Sequence, residues 1–85
     1  MDRIEILNEL KKVLAPYTEN KEMLDGINEE TDLIKDLKIN SANLVDIIID
    51  AEAQYNIEID FDSAEKMFTV GNCIDVISGK INHSA

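Results

Sequence analysis

The chain has no tryptophan, one cysteine, one histidine, one proline and three glycines, and only two Phe and two Tyr. Each scarcity closes off a class of chemistry. A lone Cys73 cannot form an intramolecular disulfide, and with His83 as the single imidazole there is no Cys/His constellation to bind a transition metal. His83 would also have to serve any Ser/His/Asp arrangement, yet it falls in the expected tail, Asn82 to Ala85, where nothing would fix its geometry. There is no glycine-rich loop to cradle a phosphate, and with so few aromatics the interior has to be aliphatic. No apolar run approaches the length of a membrane span, and Met1-Asp2-Arg3 opens no cationic-then-apolar leader, so a cytoplasmic location is expected.

Positive charge is scarce as well. Eight Lys and Arg against eighteen Asp and Glu leave a formal net charge of -10, which repels nucleic-acid phosphates and anionic lipid surfaces. The expected partners are proteins with basic patches, met at a rate that falls with salt; neither nucleic acid nor membrane insertion is expected. Asp60 and Asp62 begin like a calcium loop, but the required glycine and the closing spacing are missing. In so acidic a chain, paired carboxylates are more often solvated than catalytic. The reading is therefore of a module on which other proteins act, not of an enzyme.

At 85 residues, 45% of them hydrophobic, there is one core and one domain over 1–85, ordered over about 3–81, and a monomer is expected. Ile4, Leu7, Leu10, Val13 and Leu14 recur at helical spacing and Pro16 ends that helix. Tyr17 to Ile39 is a long polar connection with scattered apolar anchors, and a short helical turn near Asn20 to Leu24 is expected within it. A second helix runs from about Ser41 to Tyr55, although Ile47-Ile48-Ile49 also suits a buried strand. Ile57, Ile59 and Phe61 alternate like a strand but have no partner, so an extended loop is expected. Asp62 with Glu65 resembles a capping box opening a short third helix through Lys66. Thr69 caps a last helix whose core face is Val70, Cys73, Ile74, Ile77 and Ile81, and which Gly79 weakens or ends. Together these make an all-α four-helix bundle with three main helices, a short third helix and a long first loop.

The polar lead-in Asn40-Ser41-Ala42-Asn43 enters the most apolar segment, whose Leu44, Val45, Ile47, Ile48, Ile49, Ala51 and Tyr55 cover a wide sector beside Asp46, Asp50 and Glu52. Two readings of Ser41 stand on the residues alone. Asn40 or Ser41 is simply the helix N-cap, or Ser41 carries a covalently attached anion, which the free N–H groups and positive dipole of a helix start would stabilise.

From Asp36-Leu37 through Asn40-Ser41-Ala42, Leu44-Val45-Asp46, Asp50, Glu52 and Tyr55, then Ile57-Glu58-Ile59, Ala64-Glu65-Lys66 and Thr69-Val70 to Ile77, the chain resembles an acyl carrier protein of the phosphopantetheine-binding family. The resemblance implies a 4′-phosphopantetheine arm, donated by coenzyme A through a phosphopantetheinyl transferase and joined to Ser41. The arm's thiol would hold acyl intermediates as thioesters for fatty-acid-like, polyketide or specialised lipid synthesis. It further implies partner contacts at Asn40, Ala42, Val45, Asp46, Ile49, Asp50 and Glu52, met by acyl-loading and acyl-processing enzymes. Where the family usually has Asp-Ser-Leu, this chain has Asn40-Ser41-Ala42, with Lys35 and Lys38 nearby, which points to a specialised member. A peptidyl, aminoacyl or aryl carrier would use the same serine, and an unmodified acidic helical adaptor would use Ser41 only as a cap.

Overall fold

A computed structural model describes residues 2–84, with side chains described as far as residue 81. Helix α1, Arg3–Leu14, is opened by Asp2, whose carboxylate accepts from the Glu5 N–H at 2.8 Å. It buries Ile6, Leu10 and Leu14, one residue per turn, and packs on both later long helices. The chain then turns at Pro16, and the N–H groups of Tyr17 and Thr18 both return to the Leu14 carbonyl.

The long connection contains the expected short turn as α2, Lys21–Asp25, capped by Asn20, whose side chain accepts from the Met23 N–H at 3.2 Å. The rest has no regular structure yet is fixed at many points. Leu24, Ile27, Leu33, Leu37 and Ile39 reach the core, and the buried Thr18 hydroxyl donates to the Leu37 carbonyl. Asp32 and Asp36 turn the chain by accepting from the N–H groups of Ile34, Lys35 and Asp32 itself. Backbone bonds from Leu33, Val70 and Gly71 to the carbonyls of Phe68, Thr31 and Glu29 tie it to the start of the last helix. At Gly71 the approach is so close that an added Cβ would lie 2.7 Å from the Glu29 carbonyl oxygen.

Ser41–Asn43 form one 3-10 turn that leads into α3, Leu44–Tyr55. The β-branched run is thus helical, with Ile47 and Ala51 buried and Ile48 and Tyr55 partly so. Helix α3 ends at Asn56, whose φ of 54° is the left-handed turn that asparagine tolerates. Residues 57–60 are the extended loop expected, and no strand occurs among the described residues.

Two expectations are corrected by the structure. The short helix α4 is only Phe61–Ala64, and its cap is Asp60, not Asp62: the Asp60 carboxylate accepts from the Ser63 N–H and hydroxyl and pairs with Lys80 at 2.8 Å. Ser63 lies three positions after Asp60, so the cap pattern is present two positions earlier, and the turn ends before Glu65. Of the two roles expected of Gly79, weakening the last helix or ending it, the ending is ruled out: α5 spans Val70–Ser84 and takes in most of the expected tail; Ala85 lies outside the described residues. A glycine there loses about 1 kcal/mol of helix propensity, too little to break a helix held by a buried face. Thr69 caps α5 as expected, and reciprocally. Its hydroxyl accepts from the Asn72 N–H while the Asn72 side chain accepts from the Thr69 N–H, each at 3.1 Å. Val70, Cys73, Ile74 and Ile77 are fully buried, and burial pushes the Cys73 thiol up to about 12. The core is aliphatic with one methionine, Met67, and one cysteine.

Candidate functional site

The lead-in to α3 is shaped by three consecutive residues. Lys38 adopts φ 58°, a left-handed backbone that a residue with a Cβ rarely takes, and this reverses the chain. Ile39 then drops into the core, with its N–H bonded to the Leu33 carbonyl at 3.2 Å. Asn40 is extended. Its side-chain oxygen accepts from the Ala42 N–H at 2.9 Å and its carbonyl accepts from the Asn43 N–H at 2.8 Å.

Those bonds decide between the two capping candidates: Asn40 caps the 3-10 turn that leads into α3, while Asn43, at the N-cap of α3 itself, makes no side-chain capping bond. Ser41 is exposed, and its hydroxyl has no hydrogen-bond partner among the described residues. Its own carbonyl is used, accepting from the Leu44 N–H, so the backbone at Ser41 is held while the hydroxyl is not. No described side chain acts as a base on it. The amide of Asn40 supplies the acceptor oxygen that an aspartate would, so replacing Asp by Asn keeps the cap while removing one charge.

Along α3 the expected contact residues separate into two groups. Val45 and Ile49 are 62% and 54% exposed, with Asp46 and Asp50 exposed beside them, an apolar pair flanked by acids. Asp50 also accepts from the Tyr17 hydroxyl at 2.5 Å, which pushes the phenol up to about 12 and straps the long connection to α3. Glu52 differs from the other acids. It is partly buried, and its carboxylate accepts from the Ile59 N–H at 2.8 Å, so it holds the 57–60 loop.

The two flanks of α3 are unlike. On the loop side, an open groove of about 490 Å³ runs past Asn40 and Asn43, with Lys38 and Glu19 on its walls and Ile34, Ile39 and Tyr17 giving it apolar surface. On the α4 side, a closed apolar seam between Leu44, Ile47 and Ile48 and the residues Ala64 and Met67 leaves only about 20 Å³. Phe61 and Phe68, beside that seam in sequence, stand 76% and 61% exposed. Reading the sequence missed Tyr17 and the groove. The one signal for Tyr17 was an aromatic placed directly after the helix-stopping Pro16.

No group of His, Cys, Asp or Glu arranged to hold a metal occurs among the described residues, and no described helix is long and apolar enough to cross a membrane. No family model matches the chain. It is 36% identical to the acyl carrier protein of Lactobacillus acidophilus over 77 residues, covering 91% of this chain and 94% of that one. It is 38% identical to the acyl carrier protein of Desulforapulum autotrophicum over 71 residues, covering 84% and 91%. Among solved structures, hexanoyl ACP from the actinorhodin polyketide synthase of Streptomyces coelicolor superposes with a TM-score of 0.78 at 21% identity, covering 92% of each chain. The acyl carrier protein of Enterococcus faecalis gives 0.75 at 25% identity, covering 94% of this chain and 99% of that one.

Proposed function

The chain belongs to the acyl carrier protein family, and from that premise we propose that Ser41 is the residue that bears its 4′-phosphopantetheine arm. Members of the family are carriers, and catalysis lies with the enzymes they visit. When bound, the arm supplies a terminal thiol that holds an acyl group as a thioester.

The observation that carries the proposal is the division of labour at the start of α3. Asn40 takes the capping bond, so the Ser41 hydroxyl is exposed and has no internal bond to give up when it is modified. In the loading step, Ser41 Oγ bonds to the phosphorus that carries pantetheine in coenzyme A, as adenosine 3′,5′-bisphosphate departs. The hydroxyl proton passes to the transferase, because no described group of this chain is bonded to Oγ to receive it. The resulting phosphodiester sits at the positive end of the α3 dipole, which favours an anion there.

Val45, Asp46, Ile49 and Asp50 form the surface on which loading and processing enzymes dock: two apolar contacts for area and two carboxylates for steering toward basic patches. Glu52 contributes through the loop that it holds. The acyl chain of a loaded carrier finds little room in the 20 Å³ seam, which is about the space of one water, so sheltering it there requires α4 to move away from α3. Ala42 in place of a leucine leaves the transferase one apolar contact fewer, which underlies a requirement for a transferase suited to this chain.

Intact mass before and after incubation with coenzyme A and a broad-specificity transferase tests the proposal. The expected result is the gain of one phosphopantetheine group on the native protein and none on Ser41→Ala. An equal gain on the variant would place the arm elsewhere. No gain on the native protein, with a control carrier modified in the same tube, would reject the assignment for that transferase, and the same outcome across transferases would return Ser41 to an ordinary surface residue.

A further inference from the structure

The groove between the long connection and the turn that leads into α3 lies apart from the docking surface of Val45, Asp46, Ile49 and Asp50. Its position and lining suit one occupant. Asn40, which caps the Ser41–Asn43 turn, and Asn43, its last residue, both line it, so anything tethered at Ser41 begins at its edge. Lys38 brings an ammonium group that has no ion pair among the described residues. Asn40 and Asn43 bring side-chain amides, while Ile34 brings branched apolar surface over the buried Ile39. Glu19 adds an acceptor on the wall, and Tyr17 is held in place by its bond to Asp50.

We infer that this groove is the resting seat of the phosphopantetheine arm when no acyl group is attached. The inference rests on Ser41 as the attachment site. The match is chemical. An unloaded arm presents a phosphodiester anion, a geminal dimethyl group, a hydroxyl and two amides, and the groove offers a cation, an apolar patch and amide partners. Its volume of about 490 Å³ lies within the range of sites that hold small organic ligands. The alternative seat on the other flank is wrong in size and in chemistry. The seam against Ala64 and Met67 is closed to about 20 Å³, and an arm pushed into it would bury two amides with no polar side chain to meet them.

The seat gives the long connection a function beyond linking two helices. It holds the thiol end close to the protein until an enzyme or an acyl group draws the arm away. The inward half of the groove, Ile39, is buried and fixed, whereas Ile34 is 40% exposed and can be changed without disturbing the core.

The test is carbon- and nitrogen-labelled protein loaded with an unlabelled arm, with loading verified by intact mass and contacts read by isotope-filtered NMR. Expected are cross-peaks from the geminal methyls of the arm to the methyls of Ile34 and Ile39, and amide shift changes at Glu19 and Lys38 relative to the unmodified protein. Ile34→Ser should lose its own cross-peaks and weaken those at Ile39 while the arm is still added. Lys38→Asn, which removes the cation but keeps a residue tolerant of left-handed backbone, should shrink the Glu19 shift change. Cross-peaks to Ala64 or Met67 instead, or a loaded protein with no contacts beyond the Ser41 turn, would overturn the seat and leave the carrier assignment standing. A mass showing no arm with every transferase tried, while a control carrier is modified, would overturn both.

Discussion

The two flanks of α3 are built by different forces. The loop side is a stretch of chain with little regular structure, shaped by side chains that bond to backbone, and it keeps an open, partly charged groove. The α4 side is shaped by apolar packing of a single-turn helix and leaves almost no space. Hydrogen bonds hold the first flank at defined points; on the second, Ala64 and Met67 close against α3, and the Asp60–Lys80 pair ties the start of α4 to α5. Ser41 lies at the head of the helix between them.

The comparison breaks most severely if the loop side is detached. Gly71→Ala puts a methyl 2.7 Å from the Glu29 carbonyl and strains the tie between the connection and α5. A loss of about 2 kcal/mol in urea unfolding is expected, in the range of overpacking in a tight site. Gly79→Ala is the matched control, since a Cβ there meets nothing within 4 Å, and it should be neutral or stabilising.

A smaller effect of opposite sign is expected at Lys38. Its left-handed backbone is strained for lysine, so Lys38→Gly should stabilise the fold by about 1 kcal/mol, read in the same unfolding experiment. If Lys38→Gly were destabilising, the reversal before Ile39 would not be as described.

The mildest probe uses acid, because each flank has its own carboxylate clamp. On the loop side the Arg3 guanidinium holds the Glu29 carboxyl below its ordinary value, and it also pairs with Asp75 at 2.8 Å. On the α4 side the Lys80 ammonium, then the Ser63 hydroxyl, hold the Asp60 carboxyl well below the usual carboxylate range. For both groups the folded value lies below the unfolded one. Their contribution is therefore complete above the ordinary carboxylate range and is lost as pH falls through the folded values. Carboxyl carbon shifts should place the Asp60 midpoint below that of an ordinary aspartate, and Lys80→Met should move it up. Both clamps are exposed, so the accompanying change in stability should be small.

The long elements were legible because their signals are local. The spacing of Ile6, Leu10 and Leu14, the stop at Pro16 and the Thr69 cap all stand in short stretches of sequence. The errors arose where two local patterns competed. Asp60 and Asp62 are both followed at suitable distances by plausible capping partners, and the Ile57-Ile59-Phe61 alternation drew Phe61 into the loop rather than into α4. Gly79 reads as a terminator only if the buried face of α5 is ignored. At the lead-in to α3 the choice of cap was not legible, because Asn40 and Ser41 are both good caps and only the Asn40 bond to the Ala42 N–H separates them. The roles of Glu52 and Tyr17 were hidden for another reason: each depends on a partner across the fold, Ile59 and Asp50, that spacing does not announce.

The central claim is that Asn40 does the structural work at the head of α3 and so leaves Ser41 free for chemistry. The direct test is to unfold Asn40→Ala and Ser41→Ala in urea side by side and to assay both for arm addition. Asn40→Ala should lose about 1 kcal/mol, as expected for removing a cap, and still accept the arm. Ser41→Ala should stay within about 0.5 kcal/mol of the native protein and accept none. A Ser41→Ala variant as destabilised as Asn40→Ala would contradict the account, because the serine would then be part of the cap.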